Sequence, residues 1–587
     1  MPYRPHVQRR SALAFGFLLL AAVLAAYLPA LQAGFVWNDD TYLTENPTLD
    51  RPGALSLIWT EPRASEQYYP LVFTTFWFEK QLWGLHPFGY HLVNVLLHAG
   101  SALLLWAFLR RLGLPAAWFA AALFALHPMC VESVAWVTER KNTLSLFLSL
   151  LAMHGFLAAR EARAAAAEPP KKRKPRVEVP WVRRPAPLYA GALVAFTLAL
   201  FAKTTASVVP AVLLVLVWWR KGRVEASDVK PLVPFFAVGA ALAFQTAWLE
   251  KTMVRATGDD WSLGLPGRLV LAGRTVAFYA RQFLVPRDVA FIYPRWTVDP
   301  HEASQWLPTL GALALVAVAF ALRERIGRGP LAILLLFGGV LFPAMGFFNV
   351  YAMRYSYVAD HFAYQAVAIA AAGLVCGLAS LLPAAHPALR RAAAVAAALV
   401  IVLAGVASSR QARAFESVET LWRDTLAKNP DCFMCHTNYG FWLSGQGRAD
   451  EAVGHFEQSL RIRPRNVPTL LNLAKIEEDR GHFDAAAARL RAALAIDATD
   501  TAVLINLGTV ETKAGRLDEA VATYREALRL GSPSDYLAHN GLAVALARKG
   551  DLRGAVAEFQ AALRANPDYA PARANLEKLM AAAGARN

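Results

Sequence analysis

The sequence predicts an all-α protein: a polytopic transmembrane helix bundle of about eleven crossings, followed by an α-solenoid. Three observations carry this. Of the 587 residues, 56% are hydrophobic and 11% aromatic, with a mean hydropathy of +0.32, too apolar for a water-soluble chain of this length. Apolar runs long enough to cross a bilayer recur through residues 1–410. Beyond them, Gly447, Gly481 and Gly515 stand 34 residues apart and Gly550 follows at 35, the mark of stacked helical repeats.

The apolar runs fall at 12–31, 91–109, 115–130, 142–159, 188–203, 205–219, 231–249, 306–322, 330–348, 361–382 and 388–407. The first begins basic, as a signal peptide does, but it is long and has no clear small-x-small site before Trp37, so it reads as a retained helix. Loop 32–90 follows on the outer side. There Asp39 and Asp40 lie directly beyond the first span, with Trp37 and Tyr42 as interfacial anchors. A turn accounts for an isolated Asn-Asp-Asp, but two carboxylates against hydrocarbon are a costly place for idle charge. The segment 160–187, with Pro169-Pro170-Lys171-Lys172-Arg173-Lys174-Pro175, cannot bury apolar surface and reads as a basic cytoplasmic linker. Residues 268–286 carry Arg268, Arg274 and Arg281 near helical phase, which fits an interfacial or re-entrant helix better than a crossing.

The formal charge of +16 resides in short runs between apolar spans, at 1–10, 110–111, 160–187, 220–230, 323–328 and 390–391. The positive-inside rule explains that distribution and leaves no call for a nucleic-acid partner. It places the N-terminus in the cytoplasm and the C-terminal repeats outside.

The repeats are read from more than glycine. Ala452, Ala486, Ala520 and Ala555 keep the same steps, and Phe456, Leu490, Tyr524 and Phe559 hold the large position on each second helix. These are tetratricopeptide repeats, in which small residues let paired helices approach and stacking buries a continuous core. Trp422 and Leu426 sit one step before the first pair, so 411–432 reads as a half repeat, 433–569 as four repeats, and 570–587 as a capping helix and tail. Cys432-Phe433-Met434-Cys435-His436 matches the c-type haem attachment pattern, but no further axial ligand stands out nearby. Haem is the least favoured reading; a disulfide and unpaired packing stay open, with packing preferred.

Polar residues within apolar spans mark packing or function. His91, Asn94, His98 and Ser101 form a stripe on the second crossing, explained equally by helix-packing hydrogen bonds and by a substrate site. The outer ends add His127, Glu132, Glu139-Arg140-Lys141, Lys203, Arg354 with Tyr355, and Asp360-His361. Acidic and basic groups converging on one side suit a lipid phosphate held by cations beside a carboxylate that moves a proton. Arg354, or else Lys203, Arg274 or Arg281, is the expected phosphate clamp.

Several blocks carry a family resemblance: Phe35 to Pro47, Tyr69-Pro70-Leu71, Gly84 to His98, Leu126 to Lys141, and Met353 to His361. Together with the repeats they resemble a bacterial group of membrane proteins similar to the transmembrane and tetratricopeptide-repeat O-mannosyltransferases, of the GT-C glycosyltransferase class. The resemblance implies a GT-C-like domain over 1–410 and transfer of a sugar from a polyprenyl-phosphate donor to an acceptor, with inversion, on the outer face of a bacterial inner membrane. It makes Asp39 or Asp40 the catalytic base or, in metal-using branches, a ligand to a divalent metal. A concave repeat array suits an acceptor protein or peptide. The rival reading is a non-catalytic membrane-anchored scaffold for envelope or polysaccharide assembly, with a transporter third.

Overall fold

Apolar stretches this long satisfy their backbone polar groups internally by becoming helices, and the computed structural model shows them so. It describes residues 5–64, 67–167, 184–252, 261–383 and 385–584, among which there is no strand. Contacts divide the chain into two units, Met1–Asn429 and Pro430–Asn587.

The first unit opens with α1 (Pro5–Ala26), the short α2 (Leu28–Leu31) and α3 (Ala54–Thr60), and α4 (Pro70–Trp83). Next come α5 (Pro87–Arg111), α6 (Ala117–Ala125), the short α7 (Val131–Ala135) and α8 (Arg140–Ala167). They are followed by α9 (Pro185–Ala202), α10 (Val209–Lys221), the short α11 (Ala226–Val229), α12 (Val233–Thr252) and α13 (Leu265–Leu284). The unit ends with α14 (Leu307–Ile326), α15 (Gly329–Leu341), α16 (Tyr364–Leu381), α17 (Pro387–Ala412) and α18 (Val418–Lys428).

Among the described residues, eight helical stretches are long and apolar enough to cross a membrane: 87–111, 137–166, 185–202, 204–221, 226–249, 303–326, 364–381 and 387–415. The pair 117–125 and 128–135 makes a ninth if counted as one span, but it bends by 56°. The bend falls at His127-Pro128, where proline removes a backbone donor and forces the preceding residue out of the helical region; His127 has ψ of 132°. The apolar helices 11–26 and 329–344 are shorter than the expected 12–31 and 330–348. The first regular helix ends at Ala26 and Pro29 opens the separate short helix α2, while Pro343 sits in the 3-10 turn Phe342–Ala344 that follows α15, where its missing N–H cannot continue the ladder.

The expected linker 160–187 is partly corrected, since α8 runs on through Ala167 over an alanine-rich stretch of high helix propensity. Its basic run from Lys171 to Lys174 lies outside the described residues. The α13 helix does not meet the spanning criterion. It buries Val270, Leu271, Thr275, Tyr279 and Phe283 along one face and exposes Arg281 on another. The expected half repeat 411–432 falls mostly within the first unit, where the fully buried Trp422 packs against Trp37 and Phe291.

The second unit is a row of helix pairs: α19 (Phe433–Gly445) with α20 (Ala449–Ile462), α21 (Val467–Asp479) with α22 (Phe483–Leu494), α23 (Thr501–Lys513) with α24 (Leu517–Leu530), and α25 (Asp535–Lys549) with α26 (Leu552–Ala565). The last helix is α27 (Ala570–Gly584). The periodic glycines close the first helix of each pair in the left-handed region, with φ of 75°, 78°, 80° and 94° at Gly447, Gly481, Gly515 and Gly550. Inside the pairs, a Cβ on Gly440 would lie 2.8 Å from the Phe456 ring and one on Gly508 2.8 Å from Tyr524. Cys432 and Cys435 form a disulfide at the start of α19, which corrects the preference for unpaired packing. Both sulfurs that haem attachment would need are joined to each other, and His436 faces Pro430 O and His455. Cys130 and Cys376 are buried free thiols.

Candidate functional site

The loop that follows the first span is packed down rather than free. Tyr42, Leu43 and Leu49 are buried with Ile58, Val72, Phe73, Phe76 and Tyr90 in one apolar cluster, so the loop backbone is fixed by hydrophobic burial. Trp37 has φ of +44°, a left-handed conformation costing a bulky residue about 1–3 kcal/mol. Its indole stacks on Trp136 at 5.6 Å and meets the rings of Phe291 at 5.1 Å and Trp422 at 5.8 Å. Three aromatic contacts at about 0.5–1.5 kcal/mol each are enough to offset that strain.

The turn so held separates the two aspartates. Asp39 points inward and is fully buried. Its Oδ2 accepts from Val36 N at 2.9 Å, and its Oδ1 accepts from Thr138 N at 2.9 Å and Thr138 Oγ1 at 2.6 Å. Burial pushes its carboxyl up to about 7, with the bonds from Thr138 and Val36 opposing and the charge of Asp40 adding to the rise. Asp40 is exposed, and its Oδ1 accepts from Thr41 N at 2.6 Å. Its carboxyl is also raised, by desolvation in the loop and by Glu45, against the bond from Thr41.

Thr138 leads into the run that opens α8, and successive helical residues project about 100° apart, so Glu139, Arg140, Lys141 and Asn142 face four ways. Glu139 lies 2.9 Å from Lys141 and 3.6 Å from Lys203, which occupies the break after α9. Lys203 Nζ donates to Asn142 Oδ1 at 2.7 Å, and Asn142 Nδ2 reaches Glu139 Oε2 at 2.7 Å and His361 O at 2.8 Å. Lys141 is also ringed by Tyr42, Tyr69 and Trp136 at 5.4–5.8 Å. Glu132 accepts from His361 N at 2.9 Å and lies 2.8 Å from its Nδ1. Asp360 takes the hydroxyl of Tyr293 at 3.0 Å; burial drives its carboxyl well above the usual range, the charge of Glu132 reinforcing this.

The structure thus brings Glu132, Glu139, Lys203, Asp360 and His361 into one buried network and ties Asp39 to it through Thr138. Other candidates face elsewhere. Arg140 turns to Glu79, to Asn94 and to Tyr90 O at 2.8 Å. His91 lies 3.2 Å from Gly34 O, His98 lies 2.6 Å from Tyr364 Oη and 2.8 Å from Ala125 O, and His127 lies 2.9 Å from Phe283 O. The His98 contacts join α5 to α16 and α6, that of His91 ties α5 to the chain after α2, and that of His127 ties the break after α6 to α13. Arg274 donates to Thr297 O at 2.8 Å and Gln305 Oε1 at 2.9 Å and covers Trp296, while Arg281 is exposed. Arg354 is half-buried on the turn Tyr351–Arg354, and Tyr355 Oη lies 3.1 Å from Tyr351 Oη. Among the described residues, no three His, Cys, Asp or Glu side chains gather as a metal site. Sequence reasoning missed Thr138, Asn142 and Tyr293 as site residues. For the first two, the density of polar residues between Glu132 and Asn142 in an otherwise apolar stretch was the available signal.

These features define a multi-pass helical membrane protein with a C-terminal tetratricopeptide array. The tetratricopeptide repeat family matches residues 443–507 and 505–570. The chain is similar to the protein O-mannosyl-transferase Tmtc3 of Drosophila melanogaster, 34% identical over 167 residues, covering 23% of this chain and 18% of that one. It is also similar to the human protein O-mannosyl-transferase TMTC1, 34% identical over 152 residues with 23% and 17% covered, and to human TMTC4, 29% identical over 164 residues with 24% and 22% covered. The chain thus spans only 17–22% of the length of these curated relatives. Among solved structures it is similar to YrrB, a tetratricopeptide-repeat protein with an unusual peptide-binding site, with a TM-score of 0.25 at 19% identity, covering 27% of this chain and 82% of that one. MamA is similar at a TM-score of 0.24 and 19% identity, with 26% and 87% covered.

Proposed function

We propose that this chain is a GT-C-type inverting glycosyltransferase of a bacterial inner membrane. It moves a sugar from a polyprenyl-phosphate donor to an acceptor protein held by the repeats, on the periplasmic side. The observation that carries the reading is the division of labour in the aspartate pair: Asp39 is locked by three hydrogen bonds, and the neighbouring Asp40 is left exposed. Asp40 is then the base and Asp39 positions the loop. The Asp40 carboxylate takes the proton of an acceptor hydroxyl, whose oxygen attacks the anomeric carbon from the face opposite the phosphate. The bond from that carbon to the phosphate oxygen breaks, and the phosphate leaves with the electron pair. Of the cations expected to clamp it, Lys203 is best placed, because Lys141 and Lys203 together face the single carboxylate of Glu139. The relatives named as protein O-mannosyl-transferases support the reaction class.

The test is Asp40→Asn in a deletion strain, at wild-type expression, read by comparative glycoproteomics. Loss of a base lowers turnover about 10²-fold or more, so the glycopeptides present with wild type should vanish. An unchanged glycoproteome with full rescue of the deletion phenotype would sink the enzyme reading and leave the scaffold.

A further inference from the structure

Between α10, α14 and α15 lies an open cleft of about 350 Å³. Trp218, Val224, Phe320, Leu331 and Leu335 line it, and Val224, Phe320 and Leu335 are 43%, 54% and 41% exposed, so the cleft opens on the outside of the bundle. Its side-chain lining is wholly apolar and its volume lies at the low end of the roughly 300–1,000 Å³ of ligand pockets, which suits a stretch of hydrocarbon chain and leaves a polar headgroup without partners inside. Its rim is basic. Arg323 lies 3.9 Å over the Phe320 ring, and the Arg328 guanidinium rests on Gly222, between lining residues Trp218 and Val224. Gly222 has φ of +78°, and any side chain there would collide with that guanidinium. Arg323 also donates to Phe320 O at 2.6 Å and lies 3.4 Å from the exposed carboxylate of Glu324, an ion pair that solvent screens. The N-terminus of α15, at Gly329, adds its backbone donors beside Arg328. Lys221 and Arg223 are exposed nearby and paired with Asp228 and Glu225.

We propose that this cleft is a binding site for one anionic glycerophospholipid of the leaflet at the basic end, its acyl chain between α10, α14 and α15 and its phosphate on Arg323 and Arg328. Charge complementarity selects the occupant: two arginines at the mouth of an apolar slot fit a lipid that is apolar below and anionic at the interface. Apolar lining alone would accept any lipid. The basic rim is what separates phosphatidylglycerol from phosphatidylcholine.

The experiment is native mass spectrometry of the full chain purified in neutral detergent and mixed with equal amounts of the two lipids. Wild type should retain phosphatidylglycerol preferentially, and Arg323→Gln/Arg328→Gln should lose about tenfold or more of that retention. The charge-matched Arg390→Gln/Arg391→Gln control should keep it. Equal loss in the control, or no preference in the wild type, overturns the site. Displacement by polyprenyl phosphate at equal concentration overturns the phospholipid as occupant. A second readout needs no charge change: phosphatidylglycerol brominated on its acyl chain should quench wild-type tryptophan fluorescence more than that of Trp218→Phe. Identical quenching would also overturn the proposal.

Discussion

Asp39 and Asp40 are adjacent in sequence and opposite in circumstance, and the difference predicts opposite phenotypes. Asp39 is an acceptor for Val36 N on one oxygen and for Thr138 on the other. Asparagine can accept at only one of those positions: its amide nitrogen turns an N–H toward a donor and has no lone pair to offer, whereas even a protonated carboxyl can still accept on its hydroxyl oxygen. A buried, unsatisfied N–H costs about 1–3 kcal/mol, so Asp39→Asn should lower the thermal unfolding midpoint in detergent while Asp40→Asn leaves it unchanged. The pH dependence has a definite sign. The folded carboxyl of Asp39 is raised to about 7, so the folded state holds its proton more tightly than the unfolded chain. That contribution is complete below about pH 4 and is lost as pH rises through 7. The stability gap between wild type and Asp39→Asn should therefore narrow from pH 5 to pH 8, and a gap that widens would refute the buried-acid assignment. None of this could be read from Asn-Asp-Asp, because the side chain that decides which aspartate is buried, Thr138, lies 99 residues away.

Elements were legible where a period or a long apolar run set them, and less so where one residue overrode its surroundings. The repeat helices follow from spacing alone. The third apolar run looked continuous by composition, yet His127-Pro128 bends it by 56°. Glycine shows how two local effects compete inside a repeat helix. Gly454 on α20 is exposed, and a Cβ there would meet nothing within 4 Å. Gly440 on α19 is buried, and its Cβ would lie 2.8–3.1 Å from the ring of the fully buried Phe456. Helix propensity favours alanine over glycine by about 1 kcal/mol at either position, while overpacking a core costs about 1–3 kcal/mol. Gly454→Ala should raise the unfolding midpoint and Gly440→Ala should lower it, measured by circular dichroism on the full chain. Stabilisation by both would mean that Phe456 moves freely and that close approach does not define the pair.

For the whole molecule, the informative quantity is where charge falls along the chain. The runs at 220–223 and 323–328 are far apart in sequence, yet the α10–α14–α15 cleft brings them to one end of the bundle, as expected if both face the cytoplasm. The topology proposed above requires residues 160–187 to share that side and the chain beyond the last span to end on the other. A reporter active only outside the cytoplasm should therefore work when fused after Asn587 and fail when inserted at Lys172; a reporter active only in the cytoplasm should give the reverse. The two insertions are separated by an odd number of crossings in the eleven-span reading, so they must differ. Counting only the eight helices that meet the length criterion leaves five after Lys172, at 185–202, 204–221, 226–249, 303–326 and 364–381, and a sixth at 387–415. Six crossings would put both reporters on one side. Opposite reporter signals thus require the short helix 329–344 to cross as a seventh span, and like signals would remove it from the membrane count and return the repeats to the side of Lys172.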